Sequence, residues 1–327
     1  MPLPMTSSLR CLAALALTGL LHGAAFAQTL ALVSSEKDNA ITVIRLADLQ
    51  LQAPIPTCKR PRHMQLSANR QQLLVACSDS AAADVIDLHS LKSVEHVPLS
   101  EDPEIFDLSP DGRTLYVSNE DDAALSIVDL ASRRRVASVP VGREPEGVKL
   151  SADGKTVYVT SEVANSVHVI DTASRKLVKT IAVGSRPRRM ALTPDGKELW
   201  VSNELGASIS IISTAEQKLI HTLTLDLKGA RPSDITPVGL LISSDGQHAY
   251  VAMGRANHVA FIDVARRQIT ERVLVGRRAW GLALSQDESR LYVVNGLSDD
   301  LTVVDVKAAR ALKSVPVGRV PHTVVLY

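Results

Sequence analysis

VGREPEGVKLSADGKTVYVTSEVANSVHVIDTASRKLVKTIA, residues 141–182, is followed at Val183 by VGSRPRRMALTPDGKELWVSNELGASISIIS, a second copy of the same design. The Asp of its turn recurs at Asp111, Asp153, Asp195, Asp245 and Asp287, with Asn69 in the same place upstream; the steps are 42, 42, 42, 50 and 42 residues. A period of this length signals a solenoid or a propeller. Each copy holds four short runs in which Val, Ile and Tyr alternate with polar residues, the pattern of half-buried strands. In the quoted copy these runs are 146–151, 156–161, 166–171 and 177–183. Ala152-Asp153-Gly154-Lys155 joins the first two, and its Gly accepts the positive φ of a tight hairpin. Four antiparallel strands per copy match one propeller blade, which buries its faces only by stacking on neighbours.

The two ends carry the closure. The last copy starts at Val317 (VGRVPHTVVLY) and stops after one strand, 321–327. The stretch LALVSSEKDNAITVIRLADLQL from Leu30 lacks that first strand but has the other three. Leu32-Val33-Ser34-Ser35-Glu36 falls three periods before Tyr158-Val159-Thr160-Ser161-Glu162, and Asn39 aligns with Asn165. The fragments sum to one blade, and closing the ring pairs both exposed strand edges. With six complete copies the expectation is an all-β, seven-bladed β-propeller, four antiparallel strands per blade, closed when the C-terminal strand joins the N-terminal three. An open β-solenoid does not explain why each end lacks what the other supplies.

Arg10, the apolar run 11–21 and Ala25-Phe26-Ala27 read as a secretory leader with cleavage after Ala27. The run is too short to span a bilayer. Residues 28–327 then form a single propeller domain in the periplasm, with no membrane span in the mature protein. Lys and Arg number 36 and Asp and Glu 35, so losing Arg10 balances the charge exactly where nucleic-acid binding needs a basic surplus. Aromatics are only 3%, which argues against a base-stacking platform. Cys58 and Cys77 remain after processing. On adjacent antiparallel strands in an oxidising compartment they are candidates for a disulfide; two buried free thiols or a metal pair are the alternatives.

Strand order fixes where chemistry would sit. The start of strand one and the end of strand two share one rim of the channel. After the strand-one Pro come Arg62, Glu104, Glu146, Arg188, Val238, Trp280 and His322; the next position holds His63 and Arg189 among others. Strand two ends at Glu120, Glu162 and Glu204, with Asn203 and Asn295 just before that position. Carboxylates, guanidiniums, imidazoles and one indole thus converge on one mouth, the expected ligand- or partner-binding rim. Trp280 is placed to stack on an apolar or cationic ligand. The opposite rim reads as turn residues and solvated Lys or Arg. The eight-residue lengthening in LDLKGARPSDITP, 225–237, is expected on the binding face.

Motifs for catalysis are absent: no G-x-S-x-G, P-loop, H-E-x-x-H or C-x-x-C-H occurs. His63 and His322 near Cys77 form a weak metal pattern; no catalytic residue, metal or cofactor is predicted. Asp87, Asp129, Asp171, Asp263 and Asp305 recur at strand-three ends, where they suit turn capping.

P-x-x-x-x-L-S-P-D-G-x-x-L-Y-V-S-N at 103–119 and V-x-V-I-D at 167–171 resemble the YVTN-type β-propeller repeat. CSDSAAADVIDL from Cys77, DPEIFDLSPDGRTLYVSNEDD from Asp102, ARPSDITPVGLLISSDG from Ala230 and VGRRAWGLALSQDESRLYVVNGLSDDLTVVDV from Val275 go further. They resemble the periplasmic propellers associated with pyrroloquinoline-quinone (PQQ)-dependent alcohol catabolism. The resemblance implies a non-catalytic accessory protein. Its partner would be a quinoprotein dehydrogenase, a c-type cytochrome or a small polar ligand at the channel mouth. It does not imply that the chain holds the quinone, because the family of quinone-binding propellers carries Trp motifs in every blade and only Trp200 and Trp280 occur here. Two rival readings share the architecture: a lactonase using rim Glu or His to activate water, and a haem- or copper-binding redox propeller.

Overall fold

The computed structural model describes Met1 and residues 29–327. The leader expected at 1–27 lies outside the described residues apart from Met1. Among the described residues no helix is long and apolar enough to cross a membrane. The chain forms seven antiparallel sheets. Six are contiguous blades; the seventh is the closing blade. The quoted copy gives strands Pro145–Leu150, Thr156–Ser161, Ser166–Asp171 and Lys176–Ala182, within one residue of the runs read from sequence.

In the closing blade, Pro321–Leu326 pairs with Leu30–Ser35, which pairs with Ala40–Arg45. Leu326 faces Ala31 and Val324 faces Val33, so the last strand of the chain is the inner strand of the blade that begins it. Its outer strand is split into Gln50–Leu51 and Ile55–Pro56, because Pro54 and Pro56 cannot donate to a continuous ladder.

Apolar side chains alternate between the two faces of each blade and meet those of the next. Tyr158, Val167, Val169 and Ile181 of one blade pack on Met190, Leu199, Val201 and Ile212 of its successor. The core is therefore a ring of inter-blade seams. The Asp residues at strand-three ends are consumed locally: Asp171 Oδ1 accepts the Ser174 N–H at 2.7 Å and the Ser174 hydroxyl at 2.6 Å. Asp87 and Asp129 accept in the same way from Ser90 and Ser132.

The lengthened segment runs from the outer strand of the fourth blade to the rim where strand one starts, with Thr236 set against Gly254 at the end of strand two. Leu225 and Ile235 are buried in the seam between the fourth and fifth blades, where Trp200, Met253 and Ile262 receive them. Thr236 Oγ1 accepts the Arg255 N–H at 2.8 Å. Burial of its apolar residues decides its place. Cys58 is disulfide-bonded to Cys77 with Cα atoms 5.8 Å apart, tying the segment that leaves the closing blade to the first complete blade. Neither sulfur is left as a thiolate for a metal.

Candidate functional site

In six of the seven blades the residues after the first position of strand one, Pro or Ala279, sit in a recurring β-bulge. In the third blade Pro145 pairs with Ser161 and Val148 with Val159, so Glu146 and Gly147 share the single residue Thr160 opposite. Such bulges re-aim side chains. A hydroxyl holds this one: the Gly147 N–H donates to Thr160 Oγ1 at 2.7 Å, and that hydroxyl donates to the Arg188 carbonyl of the next blade at 2.9 Å. Ser118, Ser202 and Ser34 repeat the link, donating to the carbonyls of Glu146, Val238 and Arg62 at 2.6, 2.7 and 2.7 Å. The Ser or Thr that follows Leu-Val, Tyr-Val or Trp-Val in these four strands is thus a clamp between blades. Gly147, Gly239 and Gly281 lie against the carbonyls of Arg188, Trp280 and His322, where a Cβ would clash. These glycines serve close inter-blade approach and leave no side chain for a ligand.

The bulge turns the next side chains inward, which corrects the open rim expected from sequence. Glu104, Glu146, Arg188, Arg62, Trp280 and His322 are all at most 7% exposed. They fill the channel as an ion-paired layer. Arg62 pairs with Glu104, and Arg188 with Glu162. Arg188 also lies 3.6 Å from Glu146 and 3.6 Å from Glu204, while Arg189 reaches Glu146 at 3.2 Å and His322 Nε2 at 3.1 Å. Charges this buried persist only when paired.

The pairing splits the carboxyls. Burial works to raise Glu146, but Arg188, Arg189 and Arg62 overcome it and hold the group at about 2. Burial raises Glu162 against the pull of Arg188, the charge of Glu146 adds to the rise, and the group sits at about 7. Burial and then Arg189 push His63 down to about 3 and His322 well below its ordinary value. Both imidazoles are neutral. Arg189 is lowered to about 10, chiefly by burial, with only partial relief from Glu146.

Trp280 is buried under two guanidiniums, Arg278 at 4.3 Å and Arg188 at 5.2 Å from its ring centre. Its stacking partners are therefore the protein's own cations. With Arg60 and Glu36 they line a hollow of about 190 Å³ above the layer. Glu120 and Glu204 stay at the edge of this mouth. Glu204 lies 3.1 Å from Arg186, and Glu120 gathers with Asp102 and Glu104, the three offering oxygens within 4.8 Å of one another. That trio has the donor type of a hard-cation site. Arg60, 3.6 Å from Asp102, and Arg62 on Glu104 already supply counter-charge.

Two predicted members do not join the site. The Asn203 amide donates to Ser208 and Ser210 at 3.1 and 3.0 Å, and the Asn295 amide donates to Asp300 and Thr302 at 2.6 and 2.9 Å. Each closes its own hairpin instead of facing the channel.

The sequence reading also missed a chamber. Below the layer lies a cavity of about 270 Å³ reached from the Asp-Gly turn side. His63 and Arg189 line it together with Gln65, Asp107 and Lys149. Asp107 accepts from Gln65 at 3.0 Å and from Lys149 at 2.8 Å. The signal was present: these three polar residues stand where other blades carry Ala191, Leu241, Ala283 and Val325.

Comparison with known proteins supports the architecture. A YncE-like β-propeller family model matches residues 68–150 and 105–193, and a model of the seven-bladed β-propeller lactonases matches residues 173–322. No curated protein matches the sequence. Among solved structures, Kuenenia stuttgartiensis hydrazine synthase is similar at 22% identity and TM-score 0.77, over 85% of this chain and 92% of that one. The Pseudomonas aeruginosa periplasmic gluconolactonase PpgL is similar at 20% identity and TM-score 0.76, over 91% and 98%. The dihydro-heme d1 dehydrogenase NirN in complex with DHE is similar at 16% identity and TM-score 0.68, over 91% and 75%. Likeness at these identities shows the shared propeller fold.

Proposed function

We propose that this seven-bladed β-propeller is a non-catalytic periplasmic binding module. It holds a small polar ligand in its channel and serves a PQQ-dependent alcohol-oxidation system, with a quinoprotein dehydrogenase or c-type cytochrome as its protein partner. The observation that carries the binding reading is the lower cavity itself, where His63, Arg189, Lys149, Gln65 and Asp107 converge among apolar residues. A general base works best with a pKa near the working pH. His63 at about 3 and Glu146 at about 2 are far below it, and the nitrogens of His322 are taken by Arg189 and Thr323. Glu162, at about 7, is held by Arg186 and Arg188 on the other side of the layer. A cavity near 270 Å³, just under the range for drug-sized ligands, suits a small one. The alcohol-oxidation context rests on the resemblance of the blade sequences. Affinity capture from cells grown on an alcohol should recover a dehydrogenase or a cytochrome, and native mass spectrometry should find a small molecule in the channel. Recovery of neither refutes the reading.

A lactonase reading has one specific support: the matching lactonase model spans 173–322, which includes Arg188, Arg189, Trp280 and His322. It requires lactone hydrolysis that Glu146→Gln or His322→Ala abolishes. A haem-related reading, prompted by the likeness to NirN, requires visible absorbance in the purified protein.

A further inference from the structure

The carboxylates that follow the second strands are met by arginines, with one exception. Glu36 has Arg60 at 3.5 Å and Arg62 at 4.0 Å. Glu162 has Arg186 at 2.6 Å and Arg188 beside it, and Glu204 has the same two arginines at 3.1 and 3.6 Å. Glu120 makes no such pair among the described residues; burial and the like charges of Glu146 and Asp102 act on it instead. The sequence gives the reason. Flanking the strand-one Pro, the first and fourth blades carry Arg60 with Arg62 and Arg186 with Arg188, whereas the second carries Asp102 with Glu104 and the third Glu144 with Glu146. Glu36 and Glu162 each face a basic blade, while Glu120 stands between two acidic ones.

The neighbouring guanidiniums do not cover this sector. Arg60 is shared among Glu36, Asp79 and Asp102 at 3.5, 3.6 and 3.6 Å, and Arg62 is shared between Glu36 and Glu104. With Glu120, five carboxylates stand against two cations. The oxygens themselves point the same way. Glu104 is fully buried; its Oε1 accepts from Arg62, and its Oε2 meets no hydrogen-bond donor among the described residues. The buried Oδ1 of Asp102 has only Arg60 at 3.6 Å, beyond hydrogen-bond length. Carboxylate oxygens shut off from water without a donor are costly unless a cation takes them.

We propose that Asp102, Glu104 and Glu120 bind one Ca²⁺ ion at the channel mouth opposite the lower cavity. Their oxygens lie within 4.8 Å of one another. Ca²⁺ bonds carboxylate oxygens at about 2.3–2.6 Å and spans that separation without rearrangement. Three carboxylates suit Ca²⁺ better than Mg²⁺, which takes one or two and keeps its waters. Asp102 and Glu120 are partly exposed, so water completes the coordination. None of the three lines the lower cavity, so the site stands apart from the channel-binding reading.

Calorimetric titration of the chelator-treated protein with calcium chloride tests the proposal. One ion per chain should bind with a dissociation constant at or below about 1 mM, as in extracellular calcium modules, and magnesium chloride should bind at least about tenfold weaker. Glu120→Gln should weaken Ca²⁺ at least about tenfold, and Asp102→Asn should do the same. Asp122→Asn removes an exposed acid nearby, 3.5 Å from Arg135, and should leave the affinity within about twofold. Glu120→Gln breaks no ion pair, so its urea midpoint in chelator should equal or exceed the parent's; Ca²⁺ should raise the parent's midpoint and not the variant's. Absence of calcium binding up to about 10 mM overturns the proposal. So does an unaltered affinity in Glu120→Gln and Asp102→Asn, an equal loss in Asp122→Asn, or Mg²⁺ binding as tightly as Ca²⁺.

Discussion

Truncation after Val320 removes the inner strand of the closing blade while leaving every other sheet intact. Val324 and Leu326, 4% and 5% exposed, leave the seams they fill. Burying two such side chains stabilises by about 3–6 kcal/mol. The main-chain hydrogen bonds to the first strand go as well, at roughly 1 kcal/mol each. Among them is the Tyr327 carbonyl, which accepts from Thr29 and Leu30 at 2.6 and 2.8 Å. His322 leaves Arg189 without its partner at 3.1 Å, inside the buried layer. The sum approaches the whole stability of an ordinary domain, about 5–15 kcal/mol. Urea unfolding followed by tryptophan fluorescence should show the midpoint collapse, since Trp280 sits 6.1 Å from the lost His322 ring. The exposed edge of Leu30–Ser35 should drive association visible by size exclusion. Peptide PHTVVLY added in trans should restore the midpoint by adding back the missing strand. An unchanged midpoint in the truncated chain would refute the closed ring and the layer built on it.

Reducing the Cys58–Cys77 bond, or replacing Cys58 with Ser, should cost about 3 kcal/mol, the loop-closure value for a separation of 19 residues; urea midpoints with and without reductant report it. Glu162 is held at about 7, above its ordinary 4.5, so the fold keeps a proton that the unfolded chain has released, and stability is lost as pH rises through that window. Glu162→Gln should therefore gain on the parent in urea melts between about pH 5 and pH 8. Glu146 is the reverse: held at about 2, it stabilises above 4.5 and loses that contribution as pH falls, so Glu146→Gln should cost about 3 kcal/mol at neutral pH and less in acid. Ser118→Ala should cost about 1–2 kcal/mol by leaving the Ile105 N–H and the Glu146 carbonyl unpaired, and Gly147→Ala should cost more in thermal melts because its Cβ meets the Arg188 carbonyl.

The fold was legible because its signal is repetitive. Each Asp-Gly turn and each alternating run states the same local preference, and the missing strand at one end matches the spare strand at the other. The site was legible only by position. Counting from the strand-one Pro found Arg62, Glu146, Arg188 and His322, but the β-bulge that turns them inward comes from pairing between strands, which one sequence does not display. Burial then turned an expected rim into an internal layer. Asn203 and Asn295 were misread because the same amide serves equally for a ligand or for a hairpin, and the nearby Ser208 and Thr302 decide for the hairpin. Gln65, Asp107 and Lys149 were passed over because solvated turn residues and chamber walls use the same residue types.

The charged layer lies between two hollows, one of about 270 Å³ and one of about 190 Å³, that share no lining residue. Glu146 touches cations on both floors, Arg189 beneath and Arg188 above, at 3.2 and 3.6 Å, so the two share one carboxylate.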